Sequence, residues 1–335
     1  MRYFLGIDTG ATKSHALIAD ETGQIVGFGE GGTGNPEIIG YDGLARVLNT
    51  ITDVALDTAK IEKNQIAGMG FGIAGFDWPS DRMPTSQSIE ALGIDAPFEL
   101  VNDAMLGVIA GTSEGWGVGV GAGTSCNCWG RDRHGREGRI TGNGAAMGEY
   151  AGAHELVRKA FEVISRAWSQ RGPQTTLTVK LLTYTGASDE IDLFEGIARK
   201  RYKIEAKAAP LIFEAAAEGD SVAQELIEWA ARELGGLALG IIRQLHFEAL
   251  DFEIVLAGSF YKGSPVIQTV MQETIHTIAP GARLVRLTVP PVVGGVLLGM
   301  EQAGVNFTAA RLKLLESADF MNAISVNEEV YNEEA

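Results

Sequence analysis

Two short turns rich in Gly and Thr contain the residues best suited to binding phosphate. The first runs from Asp8 to Lys13 and the second from Gly119 to Ser125. Such turns bring backbone N–H groups close to a phosphate, while hydroxyl and ammonium side chains add donors. Either turn alone fits an ordinary hairpin as well, but two of them at the start of two similar segments favour phosphate binding. The candidate phosphate-binding residues are Gly10, Thr12, Lys13, Gly121, Gly123, Thr124 and Ser125.

Two aspartates stand where buried strands are predicted to end. Asp8 follows the first strand and is a candidate ligand for Mg²⁺, which proteins commonly hold through water. Asp103 follows Asn102 at the end of a later strand and the start of a helix. It can serve as a general base that accepts the proton of a hydroxyl, or only as a carboxylate at a helix N-terminus. The spacing leaves both roles open.

Three other motifs also fit an ordinary structural role. The run Ala257–Ser259 follows a buried strand, and its small side chains either let a flat ring lie against the backbone or only form a turn. Cys126 and Cys128 share one face of a predicted strand and are the only two cysteines, too few for a four-thiolate zinc site. The Gly-x-Gly-x-x-Gly pattern of residues 70–75 is followed by Pro79, which argues against a dinucleotide-binding helix there.

The elements that position these motifs occur in the same order twice. Each half opens with a strand, a Gly/Thr turn, a second strand and an Asp-x-x-Gly turn, at Asp20–Gly23 and again at Asp132–Gly135. Strands and helices then alternate, which predicts an α/β class. We predict domains over residues 1–115 and 116–325, with a closing helix from Gly294 that returns to the first domain, and an acidic tail over 326–335.

The composition limits the classes of partner. The chain has 335 residues, enough for two domains, and a formal net charge of −16. Nucleic acids and anionic membranes bind clustered Lys and Arg, so neither is an expected partner. No apolar stretch is long enough to span a bilayer or to act as a signal peptide, and we expect a cytoplasmic protein.

In their order along the chain, these motifs resemble the superfamily of sugar kinases, actin and heat-shock chaperones. Within it they resemble the N-acetylglucosamine kinase-like branch with the BadF/BadG/BcrA/BcrD ATPase domain, from Tyr3 to about Gln302. The resemblance implies a duplicated actin-like ATPase (ribonuclease H-like) fold, with two domains that close around a nucleotide cleft. It also implies ATP and Mg²⁺ as cofactors, a homodimer, and phosphorylation of a hydroxyl of N-acetylglucosamine or glucosamine, a small-molecule sugar substrate.

The resemblance also assigns roles to single residues. Asp103 matches the catalytic aspartate, and Gly258 with Ser259 matches the adenosine motif. Asn35 and Gly75 resemble residues that line the sugar site in the branch.

One segment departs from the pattern of the branch. Glu149 stands where an aspartate that contacts sugar hydroxyls is expected, and Ala151 and Gly152 replace Gly and Ser. The resemblance therefore implies a sugar contact for Glu149 but leaves the exact sugar open.

Two other functions occur on the same scaffold. One is the ATPase activator of a radical 2-hydroxyacyl-CoA dehydratase or benzoyl-CoA reductase system, which binds an iron–sulfur cluster through a Cys in a distinct loop. The other is a non-catalytic, sugar-binding regulator, which usually has an added DNA-binding segment.

Overall fold

Two five-stranded sheets organise the chain in the computed structural model, which describes residues 1–305 and 308–318. The tail predicted over 326–335 lies outside the described residues. The strands are β1 Tyr3–Thr9, β2 Ser14–Asp20, β3 Ile25–Gly31, β4 Ile66–Ile73, β5 Phe98–Asn102, β6 Gly117–Ala122, β7 Cys126–Arg131, β8 Glu137–Arg139, β9 Phe252–Ala257 and β10 Ala282–Arg286.

The two sheets have the same strand order, which confirms the predicted duplication of the fold. The first sheet is ordered β3-β2-β1-β4-β5, and the second, read from its opposite edge, is β8-β7-β6-β9-β10. In the first sheet, β1 pairs antiparallel with β2 and parallel with β4, and β4 pairs parallel with β5. The carboxyl ends of β1, β4 and β5 therefore lie along one edge.

Helices form over most of the segments whose apolar residues have helical spacing. Their bounds are α1 Pro36–Ala59, α2 Arg82–Glu90, α3 Asp103–Gly111, α4 Ala153–Trp168, α5 Leu177–Thr185, α6 Glu190–Ala198, α7 Ala209–Ala217, α8 Ser221–Leu245, α9 Val266–His276 and α10 Val292–Gln302, with a further helix, α11, over 308–318.

Two helix boundaries differ from those expected. The spacing of the apolar residues predicts that α1 begins at Tyr41, but the helix starts at Pro36 and bends at Gly40, which has a φ of 69°. The prediction extends α6 to Tyr202, but the helix ends at Ala198 and Lys200 takes the left-handed conformation. Helices α2, α5 and α9 and strand β8 were not predicted. In α2 the three buried residues include Thr and Ser, so its apolar pattern is weak.

Helix α10 packs directly on the first sheet through glycines on both sides. A side chain at Gly6 of β1 would lie 2.3 Å from the Val296 nitrogen, and one at Gly70 of β4 would lie 2.2 Å from the Gly295 oxygen. This close approach leaves no room for a Cβ and fixes the helix against β1 and β4.

The chain forms two compact units. The first comprises Met1–Gly119, Gly130–Arg136 and the described residues from Val285 onward, and the second comprises Val120–Trp129 and Glu137–Leu284. The division at residue 115 stays a prediction. Among the described residues, no helix combines the length and the apolar character that a membrane span requires.

Candidate functional site

Three parallel strands of the first unit end side by side. Thr9 of β1 is in register with Ile73 of β4, and Ile73 is in register with Asn102 of β5. Asp8 precedes this row and Asp103 follows it, so the fold brings the two predicted aspartates to one edge of the sheet. In open α/β sheets, ligands bind outside the carboxyl ends of the strands.

Asp103 is the first residue of α3, and its neighbour Asn102 caps the helix. The Asn102 Oδ1 accepts a hydrogen bond of 3.0 Å from the Ala104 N–H, and the Asp103 Oδ1 accepts one of 2.9 Å from the same group. At the other end of α3, the buried Arg311 donates to the carbonyl oxygens of Ile109 and Ala110. The helix that carries Asp103 is thus held at both ends, and the capping role belongs chiefly to Asn102.

Both aspartates at this edge of the sheet have pKa values above the usual range of a carboxyl group. Burial raises the pKa of Asp103 to about 6; the hydrogen bond from Ala104 opposes this rise, and the Asp77 carboxylate adds to it. Burial, followed by the charge of Asp103, raises the pKa of Asp8 to about 8. Carboxyl groups with perturbed pKa values at a strand edge are typical of functional sites.

The two aspartates fit a divalent cation. Within residues 1–305 and 308–318, neither Asp8 nor Asp103 forms an ion pair with a Lys, Arg or His side chain. Mg²⁺ is commonly held by one or two carboxylates together with water and phosphate oxygens. Asp8 therefore stays the predicted Mg²⁺ ligand. The same described residues contain no cluster of three or more His, Cys, Asp or Glu that could bind a metal alone.

The first loop is a tight hairpin between β1 and β2. The Gly10 N–H donates to the Lys13 oxygen at 2.8 Å, so Ala11 and Thr12 form its exposed tip, with Lys13 exposed beside them. The Gly10 oxygen also accepts a hydrogen bond of 3.1 Å from the Gly34 N–H. This contact joins the loop to the segment that contains Asn35.

Asn35 and Gly75 lie next to each other in the first unit. A Cβ on Gly75 would be 2.5 Å from the Asn35 Oδ1, and Gly75 has a φ of +75°, so only glycine fits. The Asn35 Oδ1 caps α1 by accepting from the Glu37 N–H at 2.8 Å. The sequence pattern Asn35–Pro36 is a typical helix start, and it could have corrected the predicted boundary of α1.

In the second unit, the N-terminus of α4 supports the second loop. The Ala153 N–H donates to the Gly123 oxygen at 2.9 Å, and the His154 N–H donates to the Thr124 oxygen at 3.0 Å. Thr124 and Ser125 are exposed. A Cβ on Gly123 would have no neighbour within 4 Å, so packing within the protein does not require glycine there. The open space beside this backbone is consistent with close approach of a ligand.

The predicted adenosine motif contacts the second loop. Gly258 follows β9 with a φ of +103°, and a Cβ there would lie 2.2 Å from the Ala122 oxygen. Ser259 is exposed, and the Tyr261 hydroxyl donates to the Val120 oxygen at 3.0 Å. Gly258 and Tyr261 thus fix the strand that leads into the second loop.

Glu149 is buried in the second unit and braces its own loop. Its Oε1 accepts from the Thr141 N–H at 2.6 Å, and its Oε2 accepts from the Gly144 N–H at 3.3 Å. Each carboxylate oxygen of Glu149 has a second lone pair that can accept a hydrogen bond from a sugar hydroxyl. The sugar contact implied for Glu149 stays a prediction. Two residues later, the buried Ala151 has a φ of 88°, a conformation that favours the glycine expected at this position.

Both cysteines are buried in β7. The Cys126 thiol donates to the Tyr150 oxygen at 2.9 Å, and burial raises its pKa to about 12. Burial also raises the pKa of Cys128 far above its usual range. Both thiols therefore stay protonated near neutral pH, as is typical of inert cysteines in a protein core.

Asp77 has no signature in the sequence that predicts a role at this site. This half-buried residue follows the Gly75 turn, accepts a hydrogen bond from Asn102 and lies close enough to Asp103 to affect its charge. Asp77 is separated from Asp103 by 26 positions, and no local pattern links them.

Comparison with known proteins gives consistent matches over most of the chain. The chain is 26% identical over 311 residues to N-acetyl-D-glucosamine kinase of Dictyostelium discoideum, covering 89% of this chain and 97% of the relative. It is 23% identical over 304 residues to N-acetylmuramic acid/N-acetylglucosamine kinase of Clostridium acetobutylicum, covering 90% and 99%.

The fold matches solved sugar kinases. A ROK family glucokinase from Streptomyces griseus, solved in complex with glucose and AMPPNP, superposes with a TM-score of 0.54 at 19% identity, covering 89% of this chain and 99% of that one. This confirms the predicted actin-like ATPase fold. The BadF/BadG/BcrA/BcrD ATPase family matches residues 5–299, and the chain belongs to this family.

Proposed function

We propose that the protein is an ATP-dependent kinase that phosphorylates a hydroxyl of an amino sugar. The observation that carries this proposal is the placement of Asp103 beside Asp8 at the carboxyl ends of three parallel strands, with Asn35 and Gly75 in the same unit. The kinases to which the chain is similar support the same reaction class.

In the proposed reaction, Asp103 acts as the general base. Its carboxylate accepts the proton of the sugar hydroxyl as the hydroxyl oxygen attacks the γ-phosphorus of ATP. The new P–O bond forms while the bond from the γ-phosphorus to the bridging oxygen breaks, and ADP leaves. Mg²⁺, held near Asp8, would neutralise charge on the phosphates. The first and second loops are the proposed phosphate ligands, and Gly258 with Ser259 is the proposed adenosine contact.

The proposed acceptor is the primary hydroxyl of N-acetylglucosamine or glucosamine, with Asn35, Gly75 and Glu149 as sugar-binding residues. We expect Glu149→Asp to change the ratio of kcat/KM values among sugars and to leave KM for ATP nearly unchanged. Shortening the side chain by one methylene moves its charged oxygens, and a misplaced hydrogen bond to a charged group costs about 1.5–3 kcal/mol. An unchanged ratio would remove Glu149 from the sugar site.

The test of the proposed function is an ADP-release screen over amino sugars and neutral hexoses. We expect ADP release to depend on an amino sugar and a phosphorylated sugar to appear in equal amount. ATP hydrolysis that no sugar stimulates would contradict the proposal and favour an activator. Sugar binding without any ADP release would favour a regulator.

A further inference from the structure

Asn102 forms a buried junction between the turn that follows β4 and the start of α3. Only 2% of its surface is exposed. Its Oδ1 accepts the Ala104 N–H, and its Nδ2 donates to the Asp77 Oδ1 at 3.0 Å and to the Phe76 oxygen at 3.3 Å. Both acceptors lie on the Nδ2 side, so they determine which way the amide faces.

Asp77 is itself held in place. The Asp81 Oδ2 accepts hydrogen bonds from the Asp77 N–H at 3.1 Å and from the Trp78 N–H at 2.8 Å. These bonds form a closed turn, and the Asp77 carboxylate faces Asn102 from it. A rigid acceptor orients its partner more precisely than a mobile one.

On these contacts we propose that Asp77 is a positioning residue for phosphoryl transfer, which acts through Asn102 to align Asp103. The inference rests on the proposed function, in which Asp103 is the base. If the Asn102 amide turned or left its place, the first turn of α3 would lose its cap and Asp103 would shift. Displacements of about 1 Å in a catalytic group can cost about 10²-fold in rate.

The chemistry of the pair allows a reciprocal test. In Asn102→Asp, the new carboxylate can still cap α3 but faces the carboxylate of Asp77, and the donor is lost. In the double variant Asp77→Asn with Asn102→Asp, the amide of residue 77 can donate to the carboxylate of residue 102. Asp77→Asn alone keeps an acceptor oxygen for Asn102. The exposed Asp95, changed to Asn, is the matched control for removal of one acidic charge.

We expect Asn102→Asp to lower kcat about tenfold or more, with KM for ATP within about twofold of wild type. The double variant should recover most of this loss, and Asp95→Asn should stay within about threefold of wild type. Asp77→Asn should lower kcat, but by less than Asn102→Asp does, because it keeps an acceptor oxygen for the Asn102 amide. If Asp77 and Asn102 only stabilised the fold, the variants would contain less folded protein, and the folded fraction would keep the wild-type kcat as well as the wild-type KM for ATP. Near-normal kcat in Asn102→Asp, or a double variant no better than Asn102→Asp alone, would overturn the inference.

Thermal unfolding of the same four variants separates this inference from the proposed function. A wild-type protein that phosphorylates no sugar would contradict the proposed function. The unfolding temperatures would still test the pair: the double variant should unfold well above the temperature expected from adding the two single shifts. Additive shifts would overturn the inference even if the kinase activity were established.

Discussion

Replacement of Gly258 by alanine should both destabilise the second unit and weaken ATP binding. The residue has φ +103° and ψ 164°, a region that essentially only glycine occupies, and forcing another residue there costs about 1–3 kcal/mol. The added Cβ would also lie 2.2 Å from the Ala122 oxygen, and overpacking of this kind costs about 1–3 kcal/mol. The expected loss is about 2–6 kcal/mol, against a total stability of about 5–15 kcal/mol.

A second glycine of the same unit provides the matched control. Gly219 has φ +97°, but a Cβ there would meet nothing within 4 Å. Gly219→Ala should therefore show only the backbone part of the loss, about 1–3 kcal/mol. The difference between the two variants reports the contact with Ala122.

Urea unfolding at 25 °C and calorimetric titration with ATP measure the two effects. We expect Gly258→Ala to lose more stability than Gly219→Ala. We also expect it to bind ATP about tenfold or more weakly, because the backbone at Ala122 must move away from the added Cβ and this displaces the second loop. Gly219→Ala should bind ATP as the wild type does. Equal losses of stability in the two variants, or unchanged ATP affinity in Gly258→Ala, would refute this reasoning.

Three further predictions concern other features of the second unit. Gly123→Ala should leave thermal stability unchanged, because its Cβ meets no neighbour, but should raise KM for ATP about tenfold or more; an unchanged KM would remove Gly123 from the phosphate site. Ala151→Gly should raise the free energy of unfolding by about 1 kcal/mol, because it relieves a φ of 88° at a buried alanine; a loss measured in urea would contradict this. Asp220→Ala should cost about 1 kcal/mol at pH 7, because Asp220 caps α8 and accepts hydrogen bonds from Thr175 and Thr176. Burial of the Asp220 carboxyl raises its pKa, but the hydrogen bonds together outweigh burial and lower the pKa of this group in the folded state. The stability that Asp220 contributes is therefore present above its unfolded-state pKa of 3.8 and is lost as the pH falls through the lower folded-state pKa. If Asp220→Ala lowered the free energy of unfolding in urea by the same amount at pH 7 and pH 2, this assignment would be contradicted.

The sequence predicted the fold where local patterns are strong. The two hairpins with Gly/Thr turns are visible because strand, turn and strand follow each other directly, and their repetition indicated the duplicated sheet. Helix α3 was predictable because Asn102 is a typical N-cap before a run of apolar residues. Helix α2 was not, because its buried face includes Thr85 and Ser88.

The arrangement of the candidate site was only partly predictable. Asp8 and Asp103 were identified because both follow buried strands, and parallel pairing brings such ends together. The role of Asp77 depends on a contact with Asn102 across 25 positions, which no periodicity reveals. Glu149 was expected to face a sugar, but its bonds to Thr141 and Gly144 depend on the path of a loop that composition does not determine.

Transfer of phosphate by Asp103→Asn tests the central claim most directly. The γ-phosphate of labelled ATP is followed onto N-acetylglucosamine and glucosamine, and ATP affinity is measured by calorimetry on the same preparation. Asparagine keeps the shape of the side chain but cannot accept the proton, so kcat should fall about 10²–10⁴-fold while ATP still binds. A variant that binds ATP and keeps more than about a tenth of the wild-type kcat would contradict the assignment of Asp103 as the base.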